Sequence, residues 1–270
     1  LRRQRQMCIR DRYYYDYFRD NCSTRVRDAL DRVLGGALST RLKMEATQTT
    51  YRHEATRLIR PIPTLAIGMD ALLGPAADVA LNRWQQSFVP AVLMQALDEQ
   101  TINGQPLVTR TQWLMPDLGR YPAPTEPLHW KPAALMLGTV LALLLAALGR
   151  STTQKARIGF AVLATPTLLL LGLGGLLLLA GWGFSDHWAV HANRNLLLFS
   201  PLALLFLWAC WCAPAGRNTP RHSPLMHGLL WLMVLLALCA LLPGPQDNSV
   251  WQALLVPVQV GLLLGLRRRL

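Results

Sequence analysis

Cys22 is the residue whose type and setting suggest covalent chemistry. It stands in Asp20–Gly36, DNCSTRVRDALDRVLGG. A thiolate attacks carbonyl carbon, and it forms most readily at a helix mouth, where unpaired N–H groups and the positive dipole end favour negative charge. Asn21 before it is a good N-cap and Gly35-Gly36 a good stop, so the pattern predicts a helix with Cys22 in its first turn. Arg25 and Arg27 add positive charge nearby. Val26, Ala29, Leu30, Val33 and Leu34 recur at helical spacing and predict one buried face, which Cys22 extends. With Asn21 and Ser23 flanking it, Cys22 is the candidate catalytic nucleophile. The alternative is a buried structural cysteine, because free cysteines are commonly core residues.

A second group of functional side chains lies in GWGFSDHWAVHANRN. Asp186, His187, His191, Asn193, Arg194 and Asn195 could hold a lipid head group or complete a catalytic site. The alternative is an interfacial belt of Trp182 and Trp188 with polar caps, Asn195 starting the next helix. The other histidines carry less. His53 lies on a polar helix, His129 in a linker, and His222 and His227 beyond the third apolar run. Cys210, Cys212 and Cys239 sit in apolar runs and read as packing residues; Cys210 and Cys212 have a single residue between them, which is a poor metal-ligand spacing. The sequence has no Ser-His-Asp set, phosphate loop or zinc motif, and no cofactor is expected.

Charge divides the chain. Residues 1–131 carry 18 Lys/Arg and 13 Asp/Glu, whereas 132–270 carry 9 and 2. The net charge of +12 therefore sits partly on a membrane half and is no nucleic-acid signal. Residues 1–12, LRRQRQMCIRDR, read as a non-native leader, so Cys8 is set aside and the chain is expected to begin inside a domain. Residues 13–131 are expected to form a cysteine-containing domain, itself incomplete.

Within it, Tyr13, Tyr14, Tyr15, Tyr17 and Phe18 lead into the Cys22 helix and are expected to pack as core. A helix-compatible segment runs to Thr50, and a short helix from Tyr51 ends before Pro61. Residues 64–74 are small and apolar. Asn82–Asp98 reads as one helix broken or kinked at Pro90, and Gln105–Leu114 as an extended or paired segment. Five prolines between Met115 and Pro132 mark a linker.

Five apolar runs follow, at about 133–149, 158–181, 196–212, 225–242 and 250–266, each near the ~20 residues that cross hydrocarbon. Gly172, Gly174 and Gly175 permit close helix contact. Of the nine basic residues in this half, only Arg194 lies in the loops 182–195 and 243–249. The basic side is expected to be cytoplasmic, with Cys22 and the 182–195 loop outside.

YYYDYFRDNCSTRVRDALDRVLGG resembles the cysteine segment of the Lnb amino-terminal periplasmic domain family. TYRHEATRL and LNRWQQSFVPAVL are also similar to it, and HWAVHANRNLLLFSPL resembles the outward loop of the family's membrane part. The resemblance implies a partial, permuted papain-like α+β domain followed by an all-α bundle of five transmembrane helices in a bacterial inner membrane. It implies an acyltransferase with a thiol nucleophile and a histidine base, phospholipid as acyl donor and a lipoprotein amino terminus as acceptor. In the family that histidine precedes the cysteine in a Gly-His segment. Here the first histidine is His53, so the base is expected to be absent from this fragment.

The leading expectation is therefore thiol-dependent acyl transfer at an outer membrane face. The alternatives are a membrane-tethered papain-like amidase or peptidase and a non-catalytic anchored module. A reporter fused after Arg269 should be cytoplasmic and one in the 183–193 loop external; the reverse labelling would overturn the orientation.

Overall fold

A computed structural model describes residues 14–112, 124–212, 214–215, 224–267 and 269–270. Along the chain come α1 (Cys22–Val33), α2 (Ala37–Met44), β1 (Ala46–Thr50), α3 (Tyr51–Leu58), α4 (Pro63–Leu72), β2 (Ala80–Asn82), α5 (Arg83–Gln86), α6 (Pro90–Asp98), β3 (Thr101–Ile102) and β4 (Gln105–Pro106). The apolar half supplies α7 (Lys131–Arg150), α8 (Gln154–Phe184), α9 (Leu207–Cys212), α10 (Pro224–Cys239) and α11 (Ser249–Leu266). Short 3-10 turns cover Pro75–Asp78, Trp188–Val190, Arg194–Leu197 and Pro201–Phe206. The chain forms two compact units, one of residues up to Ala55 with Val79–Thr125, the other of Thr56–Asp78 with Glu126–Leu270. Segment 56–78, expected with the cysteine domain, thus belongs to the membrane-helix unit.

In the first unit, Phe18, Tyr51 and Phe88 form an aromatic core with centroids 5.0–5.5 Å apart. The aromatic run splits: Phe18 is buried, while Tyr14 and Tyr15 are exposed. α1 ends as expected, with Gly35 (φ 62°) and Gly36 (φ 85°) in the left-handed region. Its burial reverses the expectation. Val26 and Val33 are 53% and 84% exposed, and the buried residues are Ser23, Thr24 and Arg27. The polar face turns inward because it meets backbone carbonyls of 84–88 that need donors.

The expected single helix over 82–98 is two. Asn82 caps α5, and Pro90 opens α6 in its first turn, where a missing N–H costs nothing. β1, expected as helix, pairs antiparallel with β2. The tight hairpin β3–β4 turns at Asn103 (φ 52°) and Gly104 (φ 78°). Asn-Gly is a strong hairpin signal, and the expected pairing at 105–114 lay one strand too late. These two-stranded pairs are the sheets among the described residues. Arg83 lies 2.5 Å from Glu99 and holds its carboxyl below the usual carboxylate range.

In the second unit, α7, α8 and α11 are long and apolar enough to cross a membrane. Trp188–Leu197 and Pro201–Cys212 are bent by 44° and make a fourth crossing if the pair is one span. α10, with 16 residues, is shorter. Glycines set the packing. An added Cβ on Gly149 would lie 2.2 Å from Gly265 Cα, and one on Gly261 2.5 Å from Ala142 Cα, so α7 and α11 meet backbone to backbone. On α8, Gly172, Gly174 and Gly175 receive Leu204, the Phe199 ring and the Phe199 carbonyl. The close contact expected of these three glycines is present; the Gly261/Gly265 seam is a further one.

Ser200 is extended (φ −92°, ψ 122°) and Pro201 has no N–H, so the bent span cannot bond across its own break. Gln259 of α11 fills the gap: its Nε2 donates to the Leu198 carbonyl at 2.7 Å. Ten residues from Ser249, it sits about 15 Å along the helix.

Gly149→Ala should lower the unfolding temperature of the chain in detergent, costing about 1–3 kcal/mol by overpacking. Gly228→Ala, with open space at its Cβ, should not. Equal unfolding temperatures for the two variants would show that the seam tolerates separation.

Candidate functional site

The cysteine site is built from the α1 capping box. Asn21 Oδ1 accepts the Thr24 N–H at 2.9 Å, and Thr24 Oγ1 accepts the Asn21 N–H at 2.8 Å. Asn21 Nδ2 donates to the carbonyls of Tyr17 (3.0 Å) and Phe88 (2.9 Å). Ser23 Oγ donates to the Ser87 carbonyl at 2.8 Å. Both residues are buried, while Cys22 between them is an exposed free thiol. The helix mouth is thus fixed from two sides and presents sulfur to solvent.

The first intrahelical bond runs from Arg25 N–H to the Asn21 carbonyl, so the Cys22 and Ser23 N–H groups stand at the open helix end. The nearby guanidiniums are less available than their sequence positions suggest. Arg25 lies 2.5 Å from Asp20. Arg27 is buried, 2.7 Å from Asp28, donates to the Trp84 carbonyl and stacks 3.9 Å above the Trp84 ring. Helix-end N–H groups, more than arginine charge, provide the positive setting around the sulfur.

The second group of candidate residues folds against α4 within its own unit. The last carbonyls of a helix lack intrahelical partners, and here side-chain amides supply them. Asn193 Nδ2 donates to Ala71 and Leu72 oxygens at 2.9 Å each, and Asn195 Nδ2 to Ala71 oxygen at 2.9 Å. Gln246 Nε2 donates to the Leu73 carbonyl (3.1 Å) and to Asn193 Oδ1 (2.9 Å). Gln246 Oε1 accepts the Arg194 N–H at 2.7 Å. Asn193, Asn195 and Gln246 are buried, Asn195 completely. They face the protein interior, and Asn193, not Asn195, caps the turn that follows.

Gly74 completes the seam. Its N–H donates to the Ala189 carbonyl at 2.7 Å, and a Cβ there would lie 2.2 Å from the His191 carbonyl. Trp251 Nε1 donates to Asp70 Oδ2 at 3.0 Å. His191 Nε2 donates to the Ser185 carbonyl at 2.6 Å, which leaves Nδ1 as the basic nitrogen of the neutral ring. The His187 main-chain N–H donates to Ser185 Oγ, and its ring meets Trp188 at 6.2 Å. Arg194 Nη2 donates to the Leu242 carbonyl at 2.8 Å.

The structure bonds Ser185 to the His187 main chain and the His191 ring, and Gln246 to Asn193 and the Arg194 main chain, while Asn195 shares the Ala71 carbonyl with Asn193. Gln246, Gly74 and Asp70 were missed by sequence reasoning. A glutamine in the short loop 243–249 was the available signal for the first. Asn195 Oδ1 and Gln259 Oε1 have no hydrogen-bond partner among the described residues. Groups of three or more His, Cys, Asp or Glu able to hold a metal are absent among the described residues.

Asn193→Leu should leave several buried groups unpaired, each costing about 1–3 kcal/mol. Hydrogen exchange should quicken and proteolysis should increase in segment 63–78, while His187→Ala leaves both unchanged. Unchanged protection in Asn193→Leu would mean that apolar packing alone holds the segment.

The family model described as the Lnb transmembrane domain matches residues 125–264. No curated protein and no solved structure matches the chain. The matched region covers α7 to α11 almost entirely and more than half of the sequence, and with its long apolar helices this is a multi-pass membrane protein that belongs to the Lnb transmembrane domain family.

Proposed function

We infer that this chain is part of a thiol-dependent acyltransferase of a bacterial inner membrane, which moves an acyl chain from phospholipid to a lipoprotein amino terminus. The observation that carries this reading is the exposed Cys22 thiol on a rigidly capped helix mouth, in a chain that belongs to the Lnb transmembrane domain family. α7, α8, the bent pair, α10 and α11 make five crossings, with Arg150, Lys155, Arg157 and Arg267 on the cytoplasmic side. Cys22 and the 182–195 loop are then external.

In the first step Cys22 sulfur attacks a phospholipid ester carbonyl. The ester C–O bond breaks, a thioester forms, and the departing glycerol oxygen takes a proton. The helix-end N–H groups of Cys22 and Ser23 stabilise the oxyanion. In the second step the acceptor's α-amine attacks the thioester, the C–S bond breaks, and the amine proton leaves to a base. Asn21 and Ser23 act as positioning residues through the carbonyls of 87 and 88. His187 and His191 are the lipid-side candidates; Asn193, Arg194 and Asn195 support that loop.

The full-length protein incubated with phospholipid should gain one acyl mass on Cys22, removable by hydroxylamine and transferable to a diacylglyceryl-cysteine peptide. Cys22→Ala should abolish the adduct without lowering the yield of folded protein, because the side chain is exposed. An adduct that persists in Cys22→Ala would reject the nucleophile. Amide cleavage with no acyl adduct would replace acyl transfer by the hydrolase reading.

A further inference from the structure

Opposite the 182–195 end of the second unit, a cavity of about 510 Å³ is lined by Ile158, Trp208, Trp211, Cys212, Pro214 and Ala215. It opens on the outer surface of the bundle, where Ile158, Trp208 and Trp211 are each about half exposed. Trp211 is held in place: its Nε1 donates to Thr165 Oγ1 at 3.0 Å. Gln154 Nε2 donates to the Pro214 carbonyl at 2.9 Å and ties the first turn of α8 to the rim of the cavity.

The spacing puts charge beside this apolar groove. Gln154, Lys155, Ile158 and Thr165 recur along one face of α8, and two of them bond to the chain around α9. Lys155 is exposed and one turn from Ile158. Arg157 adjoins it, and Arg150 closes α7 just before. The half from residue 132 onward has two acidic residues, Asp186 and Asp247, both at the other end of the bundle. The groove therefore combines an apolar trough on the outside of the bundle, two tryptophans lining it, and a cationic mouth at the end of the bundle away from Asp186 and Asp247.

We propose that this groove holds one phospholipid with an anionic head group, its acyl chain against Trp208, Trp211 and Ile158 and its phosphate beside Lys155 and Arg157. Apolar walls alone would accept any acyl chain; the basic mouth selects for net negative charge. The site lies at the opposite end of the helices from the 182–195 loop, so it is separate from the acyl-donor position of the proposed reaction. It binds lipid as a component of the membrane domain and requires no step of that reaction.

The test uses the whole chain in phosphatidylcholine vesicles, with tryptophan fluorescence quenched by brominated acyl chains. At equal mole fraction, dibrominated phosphatidylglycerol should quench more strongly than dibrominated phosphatidylcholine. Trp208→Phe should remove most of that excess. Lys155→Gln should lower the apparent preference for phosphatidylglycerol by about fivefold. Trp182→Phe, at the other end, should keep the excess. Equal quenching by the two lipids in the unaltered chain overturns the proposal. An excess left undiminished by Trp208→Phe or by Lys155→Gln overturns it as well.

Discussion

A carbonyl without a donor is costly wherever water is excluded, and in a membrane bundle the donor must come from the protein. The break at Ser200–Pro201 creates such a carbonyl at Leu198, and Gln259 satisfies it from α11. Much of the second unit follows from that need. The bent segment must come close to α8, which the Gly172–Gly175 face allows, and α11 must stay in register with its neighbours, which the glycine seam with α7 allows. A bulkier residue at any of these glycines would push apart the elements that satisfy the break.

The same rule organises the polar end. α4 stops with three carbonyls that Asn193, Asn195 and Gln246 serve, while Gly74 brings the chain within hydrogen-bond distance of the 189–191 turn. Side chains that look like head-group ligands in sequence thus act as helix caps. The imidazoles of His187 and His191 are not among these amide caps, and the guanidinium of Arg194 is tied to the Leu242 carbonyl. The cysteine unit divides labour alike: Asn21 and Ser23 are committed to backbone, and the sulfur between them is presented outward.

Several features were legible in the residues themselves. Local chemistry decides caps, stops and turns, so Asn21, Gly35-Gly36 and the break at Pro90 were foreseeable. The apolar runs and the close approach at Gly172–Gly175 were legible because hydrocarbon demands long uncharged stretches and close packing demands small residues. β1 was hidden because Thr-rich segments suit either state until a partner strand is known.

The sequence by itself determined that this chain has a membrane half and that one cysteine sits at a helix mouth; that the third apolar run is bent at Ser200–Pro201 was decided by the tertiary structure. Only the tertiary structure decided which face of α1 is buried. Periodicity marks an apolar stripe but says nothing about unsatisfied carbonyls elsewhere, and those of residues 84–88 drew the polar face inward. Only the tertiary structure assigned Asn193 and Asn195 to the carbonyls of Ala71 and Leu72, more than 100 residues earlier in the chain. A side-chain amide is the same group in a binding site and in a cap. Its partner distinguishes the two, and that partner is fixed by packing.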